Sequence, residues 1–415
     1  MRKTICLVTD WYPTPENKMV GVFFKEQAFA MSDEMDFVIF RYKELLKRSP
    51  FSRDYIQKIN EENNTIEYAV VAYISLFARI QDLIKSVLVC YSNKKIDGIG
   101  RYFSTKHKSL TRKKITKLYE KAEIHADAFY CVDAQCEAFY CSCLAEANDI
   151  PYIVAEHAPV PWPGSQIQDV NKYAIEKADR FLAISNDKIR QLMLQNIKLP
   201  KTTYIGNLID ESKLSYLPKT EKHTKTFVIV AAHSFYKNYD MFIQVMNRLT
   251  EITDENFKVM IVGYGANKGY SSNADLLERK IAESKFKEKA EMIPEVPHEE
   301  ICDVYNKADA FVMTSIQEGQ PVSAMEAACC GLPIFSTRCG GVEDYVDDSV
   351  GRIYAITDIE GMANGLKDYL EGKIVFDAAH IRDKVISQFG REAFTNNFKN
   401  VMSEAIEEVQ DKNEV

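Results

Sequence analysis

The chain has 415 residues, 46% of them apolar and 27% charged, and a net charge of −8. That length suffices for two or three domains, the composition is that of an ordinary globular protein, and the acidic balance argues against nucleic acid as the default partner. The charge is uneven, +3 over residues 1–200 and −11 over the remainder, so the less acidic N-terminal half suits contact with an anionic acceptor or membrane surface.

Strands alternate with helices along most of the chain, which predicts parallel sheets covered on both faces. The start, MRKTICLVTD, runs directly into a strand over 3–9, with no apolar stretch long enough for a signal peptide. A loop follows, then a helix over 22–31 and a strand over 36–41. Nowhere do about 20 apolar residues run uninterrupted, so no transmembrane helix is expected. Residues 68–123 read as two core-packing helices with a solvated basic face carrying Lys106, Lys108, Arg112, Lys113, Lys114 and Lys117. A second reading makes the same stretch a surface for a lipid-linked acceptor on an anionic membrane.

Residues 126–133 and 151–157 read as strands flanking a helix. Cys131, Cys136, Cys141 and Cys143 cluster there, but tetrahedral zinc spacing is absent. Helical cysteines behave as small buried apolar residues, and free thiols in a reducing cytoplasm are expected. A strand over 179–185 leads into a helix over 186–197, and residues 202–220 read as a loop. A second α/β series opens near Thr226, with strands over 226–232, 256–265 and 309–315 and helices over 238–252, 274–284 and 298–308. A final helix is predicted over 391–409, with 410–415 frayed.

The most informative stretch is 313–345, MTSIQEGQPVSAMEAACCGLPIFSTRCGGVEDY. Pro321 suits the first turn of a helix, Ala324–Ala328 are good helix formers, Gly331 suits a left-handed cap, and Pro333 stops continuation. A strand over 332–336 follows. Glu318 then lies in the loop opening onto a helix N-terminus, with Glu326 about two turns into the helix. The amides of Gly319 and Gln320 and the helix dipole favour an anion or a sugar hydroxyl there.

Glu318, seven intervening residues and Glu326, set within Ser315–Pro321, Glu326–Pro333 and Gly340–Glu343, resemble the E-x7-E signature of family 4 retaining glycosyltransferases. The resemblance extends over most of residues 1–30 and 125–400. It implies a GT-B fold of two Rossmann-like doubly wound domains facing across a cleft. Residues 1–205 would form the acceptor-side domain, joined by the C-terminal helix 391–415 crossing back to it, and 222–390 the nucleotide-sugar domain.

By the same resemblance, Gly21 lies in the N-terminal loop near the donor phosphates and His157 stands near the reacting sugar. Lys237 contacts the diphosphate, Glu318 binds the donor sugar with the help of Gly319, Gln320 and Val322, and Glu326 binds the ribose. His157, Glu318 and Lys237 are the implied catalytic residues. Where relatives add an arginine, Ala232 stands, with His233, Arg338 or Lys25 as candidate substitutes. Gln320 replaces an apolar residue, and its amide is a candidate sugar contact. Ser185, Asn207 and Asp210 match motifs near the hinge, the latter two as loop-ordering residues. No Asp-x-Asp motif is present, so neither cofactor nor metal is expected.

The implied activity is metal-independent retaining transfer from a nucleotide-diphosphate sugar to a glycan or lipid-linked acceptor. A cytoplasmic protein is implied, with peripheral membrane contact through 68–123 and no nucleic acid partner. Two other readings stay open: a nucleotide-sugar 2-epimerase and a non-catalytic sugar-binding or scaffold subunit.

Overall fold

The computed structural model describes residues 2–14, 20–81, 84, 109–134, 137–157, 167, 169–218, 224–265 and 274–414. They divide into two units, one of Met1–Ile184, Lys188–Ile205 and Thr395–Val415, the other of Ser185–Asp187 and Gly206–Phe394.

The first unit is built on an eight-stranded sheet, β1 (Thr4–Val8), β2 (Asp36–Leu46), β3 (Tyr55–Glu62), β4 (Thr65–Ile74), β5 (Ala128–Cys131), β6 (Tyr152–Ala155), β7 (Arg180–Ala183) and β8 (Thr202–Tyr204), in the order β3-β4-β2-β1-β5-β6-β7-β8. Only the β3–β4 pair is antiparallel. Its helices are α1 (Val22–Met31), α2 (Ser109–Lys121), α3 (Ala138–Asn148), α4 (Asp169–Lys177) and most of α5 (Asn186–Leu194). The central strands are buried on both faces, with Cys6, Val8, Phe129, Val154 and Phe181 fully enclosed. This is why they read as continuous apolar runs rather than alternating ones.

The second unit holds six parallel strands, β9 (Lys225–Val230), β10 (Phe257–Val262), β11 (Ala290–Ile293), β12 (Ala310–Met313), β13 (Ile334–Thr337) and β14 (Gly351–Tyr354), ordered β11-β10-β9-β12-β13-β14. Counted within the unit this is 3-2-1-4-5-6, the Rossmann order, and its topological switch point lies between β9 and β12. Its helices are α6 (Tyr239–Ile252), α7 (Ala274–Ala282), α8 (Ile301–Lys307), α9 (Val322–Cys329), α10 (Ile359–Leu370) and α11 (Ala378–Phe389). Phe227, Ile229, Phe242, Val259, Val312 and Phe335 form its core. The last helix, α12 (Arg391–Glu414), starts beside the second unit's residues and from Thr395 counts with the first. There Arg180 pairs with Glu408 (2.5 Å) and Lys201 with Glu404 (3.0 Å).

Several elements differ from their sequence-based expectation. Thr202–Tyr204, inside the stretch 202–220 read as a loop, is strand β8 paired to β7, as two threonines and a tyrosine favour. β2 runs on to Leu46, and Thr65–Ile74 form strand β4, although 68–74 read as part of a core-packing helix. Tyr68, Val70, Val71, Tyr73 and Ile74 are β-branched or aromatic, and they gain more from a sheet surface than from a helix. The turn that makes the β3–β4 hairpin is Asn63–Asn64, both at positive φ (49° and 56°), as a two-residue hairpin turn requires. In the signature, Pro321 (φ −73°, ψ 103°) precedes the helix instead of entering it, and α9 starts at Val322. Glu326 is therefore the fifth helical residue, little more than one turn in. Finally, α12 continues to Glu414 in place of fraying at 410, since QDKNE contains no breaker.

Of the predicted basic face, Lys106 and Lys108 lie outside the described residues. On α2, Arg112 pairs with Glu146 (2.5 Å) and Lys114 with Asp54 (2.6 Å), so half of its described charge is already balanced. Cys131, Cys141 and Cys143 are free and buried, and burial pushes the Cys143 thiol up to about 12. Cys136 also lies outside the described residues. Among the described residues no helix is long and apolar enough to cross a membrane.

Candidate active site

In an open parallel sheet, ligands bind at the carboxyl ends of the strands beside the switch point. In the second unit that place is filled by the segments leaving β9 and β12. After β9 the chain makes a single 3-10 turn, Phe235–Lys237, and Asn238, left-handed at φ 48°, caps α6 with its side chain on the Met241 amide (3.3 Å). After β12, Thr314 donates through Oγ1 to the carbonyls of Lys237 (3.2 Å) and Asn238 (3.1 Å), and the Ile316 amide bonds the Tyr236 carbonyl (2.7 Å). These bonds stitch the two segments together. They bring Lys237 Nζ to 2.6 Å from Glu318 Oε1, with both side chains partly accessible. Lys237 is thus a placed cation, and not a solvated lysine at a helix start.

The loop from Glu318 to Pro321 is held from behind. The Glu318 amide donates to the Cys339 carbonyl (2.7 Å). Gly341, at φ 69°, lies so close that a Cβ on it would stand 2.3 Å from the Gly319 carbonyl oxygen. No side chain fits there without moving the loop, which is the physical content of the Gly340–Gly341 pair. Glu343 closes the turn by accepting from the Gly340 amide (3.1 Å). Gly319 is buried, and Val322 opens α9 half-buried.

Gln320 is buried and ties down the 206–209 loop. Its side-chain oxygen accepts from the Asn207 amide (2.5 Å), and Asn207 Nδ2 donates to the Gln320 carbonyl (3.1 Å). Asn207 has the loop-ordering part expected of it. Asp210 acts the same way locally, accepting from the Ser212 hydroxyl (2.5 Å). Ser185 is fully buried.

Glu326 is buried on α9 and carries two partners that the sequence did not announce. Tyr305 on α8 donates its phenol to Oε2 (3.0 Å), and His298 Nε2 lies 3.1 Å from Oε1. Burial, with the Glu326 carboxylate beside it, pushes the Tyr305 phenol well above its usual range, so it remains a donor at any ordinary pH. The carboxylate is fixed in rotamer, yet each oxygen retains a lone pair for a further donor.

Where an arginine was sought, the second unit supplies no equivalent at Ala232. Burial, and then the nearby Lys280 charge, pulls the His233 imidazole down, so it is neutral near pH 7 and no substitute cation. Arg338 is exposed, and its backbone amide bonds the Tyr354 carbonyl (2.7 Å). Lys25, in the first unit, lies 4.9 Å from the Phe29 ring centre.

The first unit brings together its own two predicted residues. Gly21 precedes α1 at φ 63°, and a Cβ there would stand 2.3 Å from the Trp11 carbonyl oxygen. Glycine is therefore required by the close approach. The next turn carries Phe23 and Phe24, whose rings meet His157 at 5.8 and 4.9 Å. His157 follows the strand rather than ending it, because β6 stops at Ala155 and Glu156 bridges to Asp133.

A further residue, unforeseen, organises this end of the sheet. Glu137 Oε1 accepts from the Thr9 hydroxyl (3.1 Å) and the Asp10 amide (2.6 Å), fixing the loop after β1. Burial and the neighbouring Asp133 push its carboxyl well above the usual carboxylate range. The unfolded chain releases this proton near pH ~4.3 while the folded chain keeps it, so the group's contribution to stability falls as pH rises above that value. Glu137→Gln mimics the protonated form. Its denaturation midpoint, compared with wild type, is expected to gain steadily from pH 5 to 8; a constant difference would show that Glu137 is ionised in the fold.

The second unit thus carries a cation, two carboxylates and a helix N-terminus beside the switch point of a Rossmann-ordered sheet. Residues 215–389 match the family described as glycosyl transferases group 1. The chain is 23% identical over 359 residues to lipopolysaccharide 1,6-galactosyltransferase of Escherichia coli K12, covering 80% of this chain and 96% of that protein. It is 24% identical over 215 residues to the gpi3 subunit of phosphatidylinositol N-acetylglucosaminyltransferase of Schizosaccharomyces pombe, covering 50% of this chain and 45% of that one. The chain thus spans under half the length of the yeast relative. Among solved structures, Anabaena HepE in complex with UDP superposes with a TM-score of 0.66 at 12% identity, over 97% of this chain and 100% of that chain. The fold is GT-B.

Proposed function

We propose that the chain is a retaining glycosyltransferase that moves a sugar from a nucleotide-diphosphate sugar to a glycan or lipid-linked glycan, without a divalent cation. The observation that carries this reading is the Lys237–Glu318 pair at the β9/β12 switch point, Glu318 lying eight positions before the held Glu326. In the absence of donor the two charges satisfy each other. On donor binding Lys237 turns to the diphosphate, where a fixed cation offsets the charge developing on the leaving group. Glu318 is thereby released to accept a sugar hydroxyl, and Glu326 accepts from the ribose. The bond from the anomeric carbon to the phosphate oxygen breaks, the bond to the acceptor oxygen forms on the same face, and the departing phosphate takes the acceptor's proton. His157 lies in the first unit, which serves the acceptor.

Two relatives are named for lipid-borne acceptors, phosphatidylinositol and lipopolysaccharide, which supports a lipid-linked acceptor here. A UDP complex of a structural neighbour supports a nucleoside diphosphate as the leaving group. A cytoplasmic location, peripheral on the membrane, accords with such an acceptor. The test is transfer in the presence of EDTA followed by NMR of the product. The anomeric configuration of the donor is expected in the product at an undiminished rate; an inverted product, or a rate abolished by chelation, would refute the mechanism.

A further inference from the structure

The first unit ends in an apolar, cationic tip outside the site described above. β2 and β4 run parallel and finish together, with Leu46 paired to Ile74 and the Lys47 amide bonded to the Ile74 carbonyl (2.8 Å). Antiparallel β3 starts beside them, Tyr55 opposite Val71. Residues 46–55 and 75–81 therefore leave the sheet at one and the same end. Ser75 holds the second segment in a helical turn by accepting the Ala78 amide on its hydroxyl (3.1 Å).

This end exposes Phe51 (87%), Phe77 (70%) and Leu76 (60%), with Leu46, Tyr55 and Ile80 also exposed. Such a concentration of large apolar side chains in water marks a contact surface. Lys47, Arg48, Arg53 and Arg79 are exposed among them. Asp54 is the only carboxylate in the two segments, and Lys114 occupies it at 2.6 Å. The tip is thus cationic as well as apolar, which is the chemistry of insertion among anionic headgroups. The basic helix α2 is a poorer candidate, because Arg112 and Lys114 are already paired.

We infer that residues 46–55 and 75–81 form the contact between this protein and an anionic phospholipid bilayer. The inference rests on the lipid-linked acceptor reading, since a membrane-borne acceptor requires the enzyme to reach the headgroup plane. Other occupants, a second copy of the chain or its own residues 85–108, are outcomes of the test.

The test is flotation of the full chain with vesicles of mixed phosphatidylglycerol and phosphatidylcholine, and with phosphatidylcholine alone, at low and high salt. Wild type is expected to float with the anionic vesicles and to be released by salt. The double variants Phe51→Ser/Phe77→Ser and Lys47→Glu/Arg48→Glu are each expected to lower the bound fraction by roughly five-fold or more, with elution volume and nucleotide-induced thermal shift unchanged. Should a double variant lose that shift, Phe51→Ser alone, at a side chain almost wholly in solvent, decides on the same readings. Failure of wild type to float, or variants that float like wild type, overturns the inference. Self-association dispersed by the Phe variants without flotation assigns the tip to a second copy. A hydrogen-exchange pattern in which the tip is already protected in the free protein assigns it to 85–108. Absence of any nucleotide shift with flotation intact would sink the enzymatic reading and leave the tip standing.

Discussion

Lys237→Ala is expected to lower kcat by roughly 10²–10³-fold, the loss seen when one preorganised electrostatic stabiliser of a transition state is removed. The reasoning rests on position. Lys237 is delivered by a single 3-10 turn tied through Thr314 to the end of β12, so its ammonium pays little reorganisation when charge moves onto the diphosphate. The Ala232 register offers no second cation, and the neutral His233 does not replace one. On the proposed mechanism, Lys237 then stands without the second cation that the resemblance places at position 232. Folding stability should change far less, by about 1 kcal/mol or below, because the Lys237–Glu318 pair is partly open to water and such pairs contribute little. Steady-state kinetics beside denaturant titration separates the two. A kcat within a few-fold of wild type would remove Lys237 from the chemistry, and Lys237→Arg should recover part of the rate by keeping the charge.

Glu326→Ala is the second large effect, and it divides between affinity and stability. The carboxylate is buried and engaged by Tyr305 and His298. Its removal strands the buried Tyr305 phenol, at a cost of about 1–3 kcal/mol, while the partly exposed His298 can turn to water. If it also accepts the ribose hydroxyls, the donor KM should rise by roughly 10–100-fold with little change in kcat, the signature of an interaction made equally in ground and transition states. Glu326→Gln retains one acceptor oxygen for the Tyr305 phenol and should recover most of the stability but less of the affinity. A Glu326→Ala protein with lowered stability and an unchanged donor KM would make the residue structural only.

The parts of this site legible in the sequence are those governed by local rules. The helix of Val322–Cys329 follows from its alanines, and its end follows from Gly331 and Pro333. The strand-loop-helix register that sets Glu318 before Glu326 needs only backbone periodicity. Lys237 was singled out by the family resemblance and not by a local rule. What was not legible depends on side chains meeting across the fold. Tyr305 and His298 lie 21 and 28 positions before Glu326, and Gln320 meets Asn207 across 113 positions. No local preference carries such a pairing. Glu137 falls in the same class, its partners Thr9 and Asp10 lying more than 120 positions away. The β3–β4 hairpin is a different miss: the turn signal, Asn63–Asn64 between two β-rich runs, was present, and the apolar run after it was weighed as helix instead. The start of α9 moved by one residue for a plain reason. Proline can occupy either the position before a helix or its first position, and the extended ψ of Pro321 decides for the former.

The central claim is that the second unit's switch point holds a nucleotide-diphosphate sugar. A thermal-shift titration with UDP, GDP, ADP and CMP and their sugar conjugates, in EDTA, tests it most directly, since a ligand that binds only the folded protein raises its midpoint. The account predicts a concentration-dependent rise with one nucleotide family, diminished in Glu326→Ala and in Lys237→Ala. No rise with any nucleotide, or a rise untouched by both substitutions, would contradict it.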